Sequence, residues 1–358
     1  MKFKFKYLLF KKIYIYFCVL ALLNIFFSTE NINAKTFNIK DIEISTPFEI
    51  NFDKNQIIDK GFRKAFNNLI LSIVQTKDQK KLNKISLGLI KEMIETFSIK
   101  EEKFVNEIYY LSLNVSFNKK KVFNLLENKN IFPSILIKKK VLLIPIILDE
   151  NNDEISIFSE SSFYNNWNSN IKNYHLLEYI LPSEDLEDFN IIKRNSKNLE
   201  NYDFREIIQK YNLENYIITI VFKNNNQIRV INKIKFNEEI DFKNLRFHNL
   251  SLNNENEIIE FIDSLKNIFE NYWKVKNQIN TSVKISLTVS IDNNNLKISE
   301  FEKKLNNIDL IYDFYIFKFN NKNNIYKIIF NGSPDYFLRI MRNLDYEFDT
   351  QHQVWSLK

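Results

Sequence analysis

Four carboxylates fall within five residues in the run Leu181-Pro182-Ser183-Glu184-Asp185-Leu186-Glu187-Asp188. Carboxylates this close could share a cation. They could also divide the roles of general acid and base, if burial of one drove their titrations apart. The run is hydrophilic and continuous, which is the opposite setting. It also matches a helix start, with Ser183 as the cap and the acids complementing the positive end of the helix dipole. That structural role is the expectation, and an envelope enzyme using the acidic 184–188 segment is the alternative. Smaller acidic groups lie at Glu101-Glu102, Asp149-Glu150 and Asp153-Glu154.

Other chemistries find few residues to use. His175, His248 and His352 show neither H-x-H nor H-x-x-x-H spacing, and Cys18 is the only cysteine. A zinc site would need a long-range assembly with carboxylates. A Ser, Thr or Lys nucleophile needs a positioned base, which three scattered histidines do not offer. Gly61, Gly88 and Gly332 are too far apart to build a phosphate-cradling loop, so G-x-G-x-x-G, G-x-x-x-x-G-K-[ST] and G-x-S-x-G are all absent. No catalytic residue, cofactor or metal is expected, and the chain does not read as an enzyme.

The lysine runs Lys119-Lys120-Lys121 and Lys138-Lys139-Lys140 could meet phosphates or lipid head groups. Each adjoins an apolar run, so a solvated helix start or strand edge is the simpler reading. No nucleic-acid partner is expected. The strand Ile325-Tyr326-Lys327-Ile328-Ile329-Phe330 lacks the basic-Gly-aromatic pattern of an RNA-reading sheet.

At the N-terminus, Lys2, Lys4, Lys6, Lys11 and Lys12 precede an apolar stretch from Ile13 to Phe27. As a helix that stretch spans about 22 Å, short of the roughly 30 Å hydrocarbon core. With Ile32-Asn33-Ala34 behind it, residues 1–34 read as a secretory signal peptide cleaved after Ala34, for a periplasmic protein. The alternative is an uncleaved single-pass inner-membrane anchor through residues 13–27. Cleavage would remove the lone thiol and lower the net charge from +6 to +2, because this segment holds five lysines and one acid, Glu30. A generic anionic-surface footprint largely goes with it.

Three blocks follow, of mixed α/β and α+β class. Residues 35–134 read as a small N-terminal α/β domain. It has an alternating opening (Phe37, Ile39, Ile42, Ile44), a helix through Ile58, Phe62, Phe66, Leu69 and Ile73, a second helix near Leu87–Phe97, a half-buried strand at 109–117, and a short helix with Val122, Leu125 and Leu126. Residues 135–280 read as a central α/β sheet domain with doubly buried strands at Val141–Leu148 and Tyr216–Phe222. Pro145 predicts a bulge or an edge there. Helices are expected at 161–172 and 203–212, strands at Ile228–Phe236 and Leu245–Leu252, and a long helix with Ile258, Ile262, Leu265, Phe269 and Tyr272 on one face.

Residues 281–358 alternate at Val283, Ile285, Leu287, Val289 and Ile291. Then come a helix opened by a capping box at Ser299-Glu300-Phe301-Glu302, strands at 310–319 and 325–330, a helix capped by Ser333 with Pro334 first, and a strand ending near Trp355. That order, β-α-β-β-α-β, is ferredoxin-like. Asn-rich runs at 223–226, 292–295 and 320–324 stand where glycine is usual, because Asn tolerates positive φ.

Several segments resemble the Domain of Unknown Function 2066 family of exported bacterial proteins. They are Ala65-Phe66-Asn67-Asn68-Leu69-Ile70 through Phe117, Leu142-Leu143-Ile144-Pro145, the acidic run from Leu181 to Asp188, Tyr211 to Val221, and Trp355-Ser356-Leu357. The central block is also similar in layout to a domain shared by curli-secretion lipoproteins and flagellar-ring assembly proteins. The resemblance implies an exported protein and carries over no catalytic residue. The expected function is a non-catalytic cell-envelope accessory protein acting through protein–protein interaction. A periplasmic small-ligand or peptide binder, using a crevice at the strand carboxyl ends of the central block, is a further alternative.

Overall fold

The computed structural model describes residues 36–50, 52–224, 227–248, 250, 252, 254–280, 285–292, 295–308 and 310–358. The signal-peptide reading of residues 1–34, Cys18 included, lies outside the described residues, as do Val283 and Lys284. The described chain is mixed α/β with three sheets.

The first sheet is antiparallel, in the order β1-β3-β2, from β1 (Thr36–Pro47), β2 (Ile94–Val105) and β3 (Ile108–Asn118). Helix α1 (Lys54–Ile73), capped by the Asp53 carboxylate, lays Phe62, Phe66, Leu69 and Ile73 against this sheet. Gly61 allows the close approach, because a Cβ there would stand 2.4 Å from Leu113 Cδ1. A short α2 (Thr76–Gln79) and α3 (Leu87–Met93) follow. The expected helix near Leu87–Phe97 thus ends at Met93, and strand β2 begins at Ile94. The β2–β3 turn places Asn106 and Glu107 both at positive φ, as a two-residue type I′ hairpin needs. After β3 comes α4 (Lys119–Asn128), burying Val122, Phe123 and Leu126.

The central sheet contains β4 (Lys139–Asp149), β5 (Glu154–Ser156), β6 (Leu177–Ile180), β7 (Tyr216–Asn224), β8 (Gln227–Phe236) and β9 (Glu239–His248), with main order β5-β4-β7-β8-β9 and β6 also on β4. Successive residues of β4 enter opposite cores, Val141 and Leu143 on one face and Leu142 and Ile144 on the other, so both faces are covered. Pro145 makes no bulge. Leu142 donates its N–H toward β7, so by the period of two the Pro145 nitrogen faces the opposite side. There β6 pairs only as far as Leu142 and β5 begins only at Ile147. The proline therefore fills a local edge where no ladder donor is needed.

The helices around this sheet are shorter than expected. The 161–172 region holds α5 (Ser162–Asn166), and 203–212 holds α7 (Arg205–Gln209). Between them α6 (Leu186–Arg194) is capped by Asp185, not by Ser183. The strand expected at Leu245–Leu252 starts earlier, at Glu239, and ends at His248. The long helix α8 (Glu255–Lys276) buries Ile258, Phe261, Ile262, Leu265, Phe269 and Trp273 on the sheet. Each such aromatic or aliphatic side chain contributes about 1.5–3 kcal/mol when fully buried.

In the third sheet, β10 (Ile285–Asp292), β11 (Ile311–Phe319), β12 (Asn323–Phe330), β13 (Phe348–Asp349) and β14 (Trp355–Leu357) lie in the order β11-β12-β10-β14-β13. Helix α9 (Asn295–Asn306) starts four residues before Ser299, so the expected capping box lies inside it. Helix α10 (Pro334–Arg342) starts as expected, with Ser333 Oγ accepting the Tyr336 N–H. The single last strand expected near Trp355 is a two-strand end, with β14 parallel to β10 and β13 antiparallel to β14. Buried apolar residues of this unit and of the first form one continuous cluster.

Asparagine does occupy positive φ, at Asn106, Asn130, Asn212 and Asn237, but at no described residue of the three Asn-rich runs. In the 320–324 turn the Asn320 carboxamide oxygen instead accepts the N–H groups of Lys322 and Asn323.

Candidate functional site

The acidic run is folded around one cation. Lys210 Nζ lies 2.9 Å from Asp185 Oδ2, 2.6 Å from Asp188 Oδ1 and 4.0 Å from Glu187 Oε2. The hydrogen bonds that Lys210 donates to Asp188 and Asp185 hold its pKa above the ordinary value. Asp185 also caps α6, accepting the Glu187 N–H at 2.8 Å, and its pKa is lowered chiefly by Lys210. Glu184 reaches away and accepts the Ser159 N–H at 3.0 Å, which lowers its pKa. Asp188 corrects the hydrophilic reading of this segment: it is fully buried, and its Oδ2 has no hydrogen-bond partner. Three of the four acids therefore have structural duties, while Glu187 stays largely exposed and touches Lys210 only at the limit.

Several of the other acids and of the lysines in the two runs are also engaged. Glu102 accepts from Lys54 at 2.7 Å and from Tyr109 Oη at 2.8 Å, and burial with this bond pushes the Tyr109 phenol up to about 12. Glu101 pairs with Lys103. Lys120 pairs with Asp313 at 3.1 Å, and Lys121 donates to the Glu92 carbonyl at 2.7 Å. Lys140 reaches Glu178 at 3.9 Å. His248, at the end of β9, and His352, between β13 and β14, are both exposed. Among the described residues no group of three or more His, Cys, Asp or Glu side chains could hold a metal ion.

His175 belongs to a polar joint that sequence reasoning missed. Lys266, Glu270 and Lys274 recur at every fourth position of α8 and are all buried. Glu270 accepts the buried N–H groups of Leu176 and Leu177 at 2.9–3.0 Å. Lys274 donates to the carbonyls of Leu71 and Val74, at the carboxyl end of α1, where a cation meets the negative end of a helix dipole. Asn271 bonds Thr76 from the same helix face. Burial raises the Glu270 pKa and lowers those of Lys266 and Lys274, the latter to about 8. Burial, reinforced by Lys266, Lys172 and Lys274, pushes His175 down to about 4. These groups join the first unit to the central sheet. The signal for them was charge at four-residue spacing beside an apolar helical stripe.

A crevice of about 250 Å³ opens at the carboxyl ends of the parallel strands β4 and β7, the position expected for a small-ligand site. Asp149, Glu154, Glu160 and Lys223 line it, with Lys223 Nζ 3.7 Å from Asp149. A larger hollow of about 670 Å³ lies on the first sheet, between Glu43, Lys64, Glu101, Lys103 and Tyr110.

The most distinctive surface is along the sheet edges. Strand β2 ends the first sheet and exposes Phe97, Ile99 and Phe104; β9 ends the central sheet and exposes Ile240 and Phe242; β11 ends the third and exposes Tyr315, Ile316, Phe317 and Phe319. Among the described residues no helix is long and apolar enough to cross a membrane. Compared with models of known families the chain matches none, and no curated protein matches it.

Proposed function

We propose that the chain is a non-catalytic, exported cell-envelope protein that works by binding another protein through its sheet edges. The carrying observation is that each of the three sheets ends in a strand with large apolar side chains in solvent. Folded proteins guard such edges with charge, proline or a covering loop, since the unpaired backbone recruits another strand. Charges in β2 and β9 guard those edges in part, while β11 from Phe314 to Phe319 carries only Lys318, which fits a protein whose partner supplies the cover. The N-terminal lysines and apolar stretch support export to the periplasm, with an inner-membrane anchor through residues 13–27 as the alternative. The proposed division into 35–134, 135–280 and 281–358 is supported by one sheet in each unit, although the first and last share a core. A ferredoxin-like arrangement of the last unit remains part of the proposal, with a departure at its end, since β14 runs parallel to β10 where that pattern has an antiparallel strand. A second reading, a small cationic ligand in the β4–β7 crevice, is favoured by its three carboxylates against one ammonium. A melting shift on adding such ligands would support it.

A photo-crosslinking amino acid placed singly at positions 97, 242 and 317 of the chain, and at 187 as control, tests the partner-binding reading. Discrete heavier species are expected from one or more edge positions in intact cells and none from 187. Crosslinks at 187 alone would reverse the assignment.

A further inference from the structure

The β11 edge is the one whose surroundings specify an occupant. Its first residues are already covered, with Asp313 on Lys120 and Tyr312 Oη donating to Asn124 of α4. From Tyr315 to Phe319 every residue is exposed. In an antiparallel strand alternate residues turn both N–H and C=O away from the neighbour, so this stretch offers unpaired backbone groups over about 15–20 Å, with a bulge at Phe317 where the register against β12 shifts. On the sheet face beside it, Tyr315 stands opposite Lys327 in β12. The Phe317 ring has Lys318 Nζ at 5.4 Å and Lys327 Nζ at 6.0 Å from its centroid. Lys322 follows in the turn. The strand's one acid, Asp313, is spent on Lys120, and among the described residues Lys318, Lys322 and Lys327 have no carboxylate within ion-pair distance.

We infer that β11 is a docking edge for an extended acidic segment of another protein, with carboxylates alternating with apolar side chains, which adds to the third sheet as a further strand. This rests on the partner-binding reading and names the partner's chemistry. Backbone groups of the added strand pair with the edge, its carboxylates lie on the face that carries Tyr315, Lys318 and Lys327, and its apolar residues lie on the face that carries Ile316 and Phe319. A second copy of this chain fits poorly, because pairing β11 with itself brings the same lysines together. A nucleic acid would satisfy the lysines and stack on the rings, but it has no peptide groups to continue the ladder. An anionic membrane would leave the same backbone groups unpaired in an apolar layer.

The test is fluorescence anisotropy of the purified protein with a labelled octapeptide alternating Glu and Val. It is compared with a Lys–Val octapeptide and with a Glu–Val octapeptide carrying a central proline. The Glu–Val peptide should bind saturably, more weakly as salt rises, and about tenfold more tightly than either control. The double variant K318E/K327E should weaken it about tenfold with an unchanged melting temperature, since both lysines are outside the core. Should that variant melt lower, F317E supplies the second reading and should also weaken binding, because it sets a like charge against the acidic segment. Equal binding of the Glu–Val and Lys–Val peptides, absence of binding, undiminished binding by a folded variant, or preference for anionic vesicles would each overturn the inference. Failure here together with a crosslink from position 317 sinks only the assigned chemistry. Loss of crosslinks at every edge position sinks the partner-binding reading itself.

Discussion

Replacing Glu270 by leucine is expected to destabilise the fold by about 3–5 kcal/mol, the cost of leaving buried partners uncompensated. The carboxylate accepts the N–H groups of both Leu176 and Leu177 in the interior, and leucine can accept neither. It also opposes the buried Lys274 ammonium, whose pKa its charge helps to support against burial. Adding Lys274→Met should recover part of the loss, since a buried charge without a counter-charge costs more than an apolar pair. Lys274 also ties off carbonyls of α1, so recovery will be incomplete. Urea midpoints for the two single variants and the double variant give the coupling. Strict additivity would show that the two side chains do not sense each other.

Acid should weaken the protein through His175. In the fold this imidazole is held down to about 4, first by burial and then by Lys266, Lys172 and Lys274. In the unfolded chain it titrates near 6.5. As pH falls from about 6.5 toward 4, the unfolded state takes up a proton that the folded state refuses, so stability falls over that window, by well under about 3 kcal/mol because the ring is partly solvated. The contribution is fully present above 6.5. Glu270 acts in the opposite sense: its raised pKa makes the fold the better proton binder in acid, which offsets part of the loss. His175→Phe should flatten the acid limb of the stability profile. An imidazole titrating near 6.5 by NMR in the folded protein would contradict this account.

What was legible in the sequence is what burial on one or both faces writes into it. The strict alternation of Ile285 to Ile291 and of Ile228 to Phe236 became β10 and β8, and the continuous run at Val141–Leu148 became the doubly covered β4. The edge strands β2 and β9 carry no such record. β2 reads Glu-Thr-Phe-Ser-Ile-Lys-Glu-Glu-Lys-Phe after Ile94, a composition that favours helix. It is extended because β3 pairs with it beyond an Asn106-Glu107 turn that lacks the usual glycine. β9 was misplaced for the same reason, its first residues being Glu239, Ile240, Asp241 and Phe242. Within the acidic run, the burial of Asp188 depends on Lys210, 22 residues away, and a local pattern cannot express that. The polar joint on α8 escaped because Lys266, Glu270 and Lys274 read as a solvated face until α1 and the Leu176–Leu177 backbone are packed on it.

The central claim is that the acids serve the fold and the sheet edges serve the function. It is tested most directly by rescue of whatever envelope defect follows removal of the protein. One variant, E184Q/E187Q, removes the two acids that neither cap α6 nor bury against Lys210. The other, Phe317→Glu, alters a single exposed ring at the β11 edge. Both should accumulate and melt like the parent, because surface changes of this kind shift stability by only about 0.5 kcal/mol. The account predicts that the acid variant rescues fully and the edge variant does not. Full rescue by Phe317→Glu with loss of rescue by E184Q/E187Q, both folded, would contradict it and make the acidic segment the functional site.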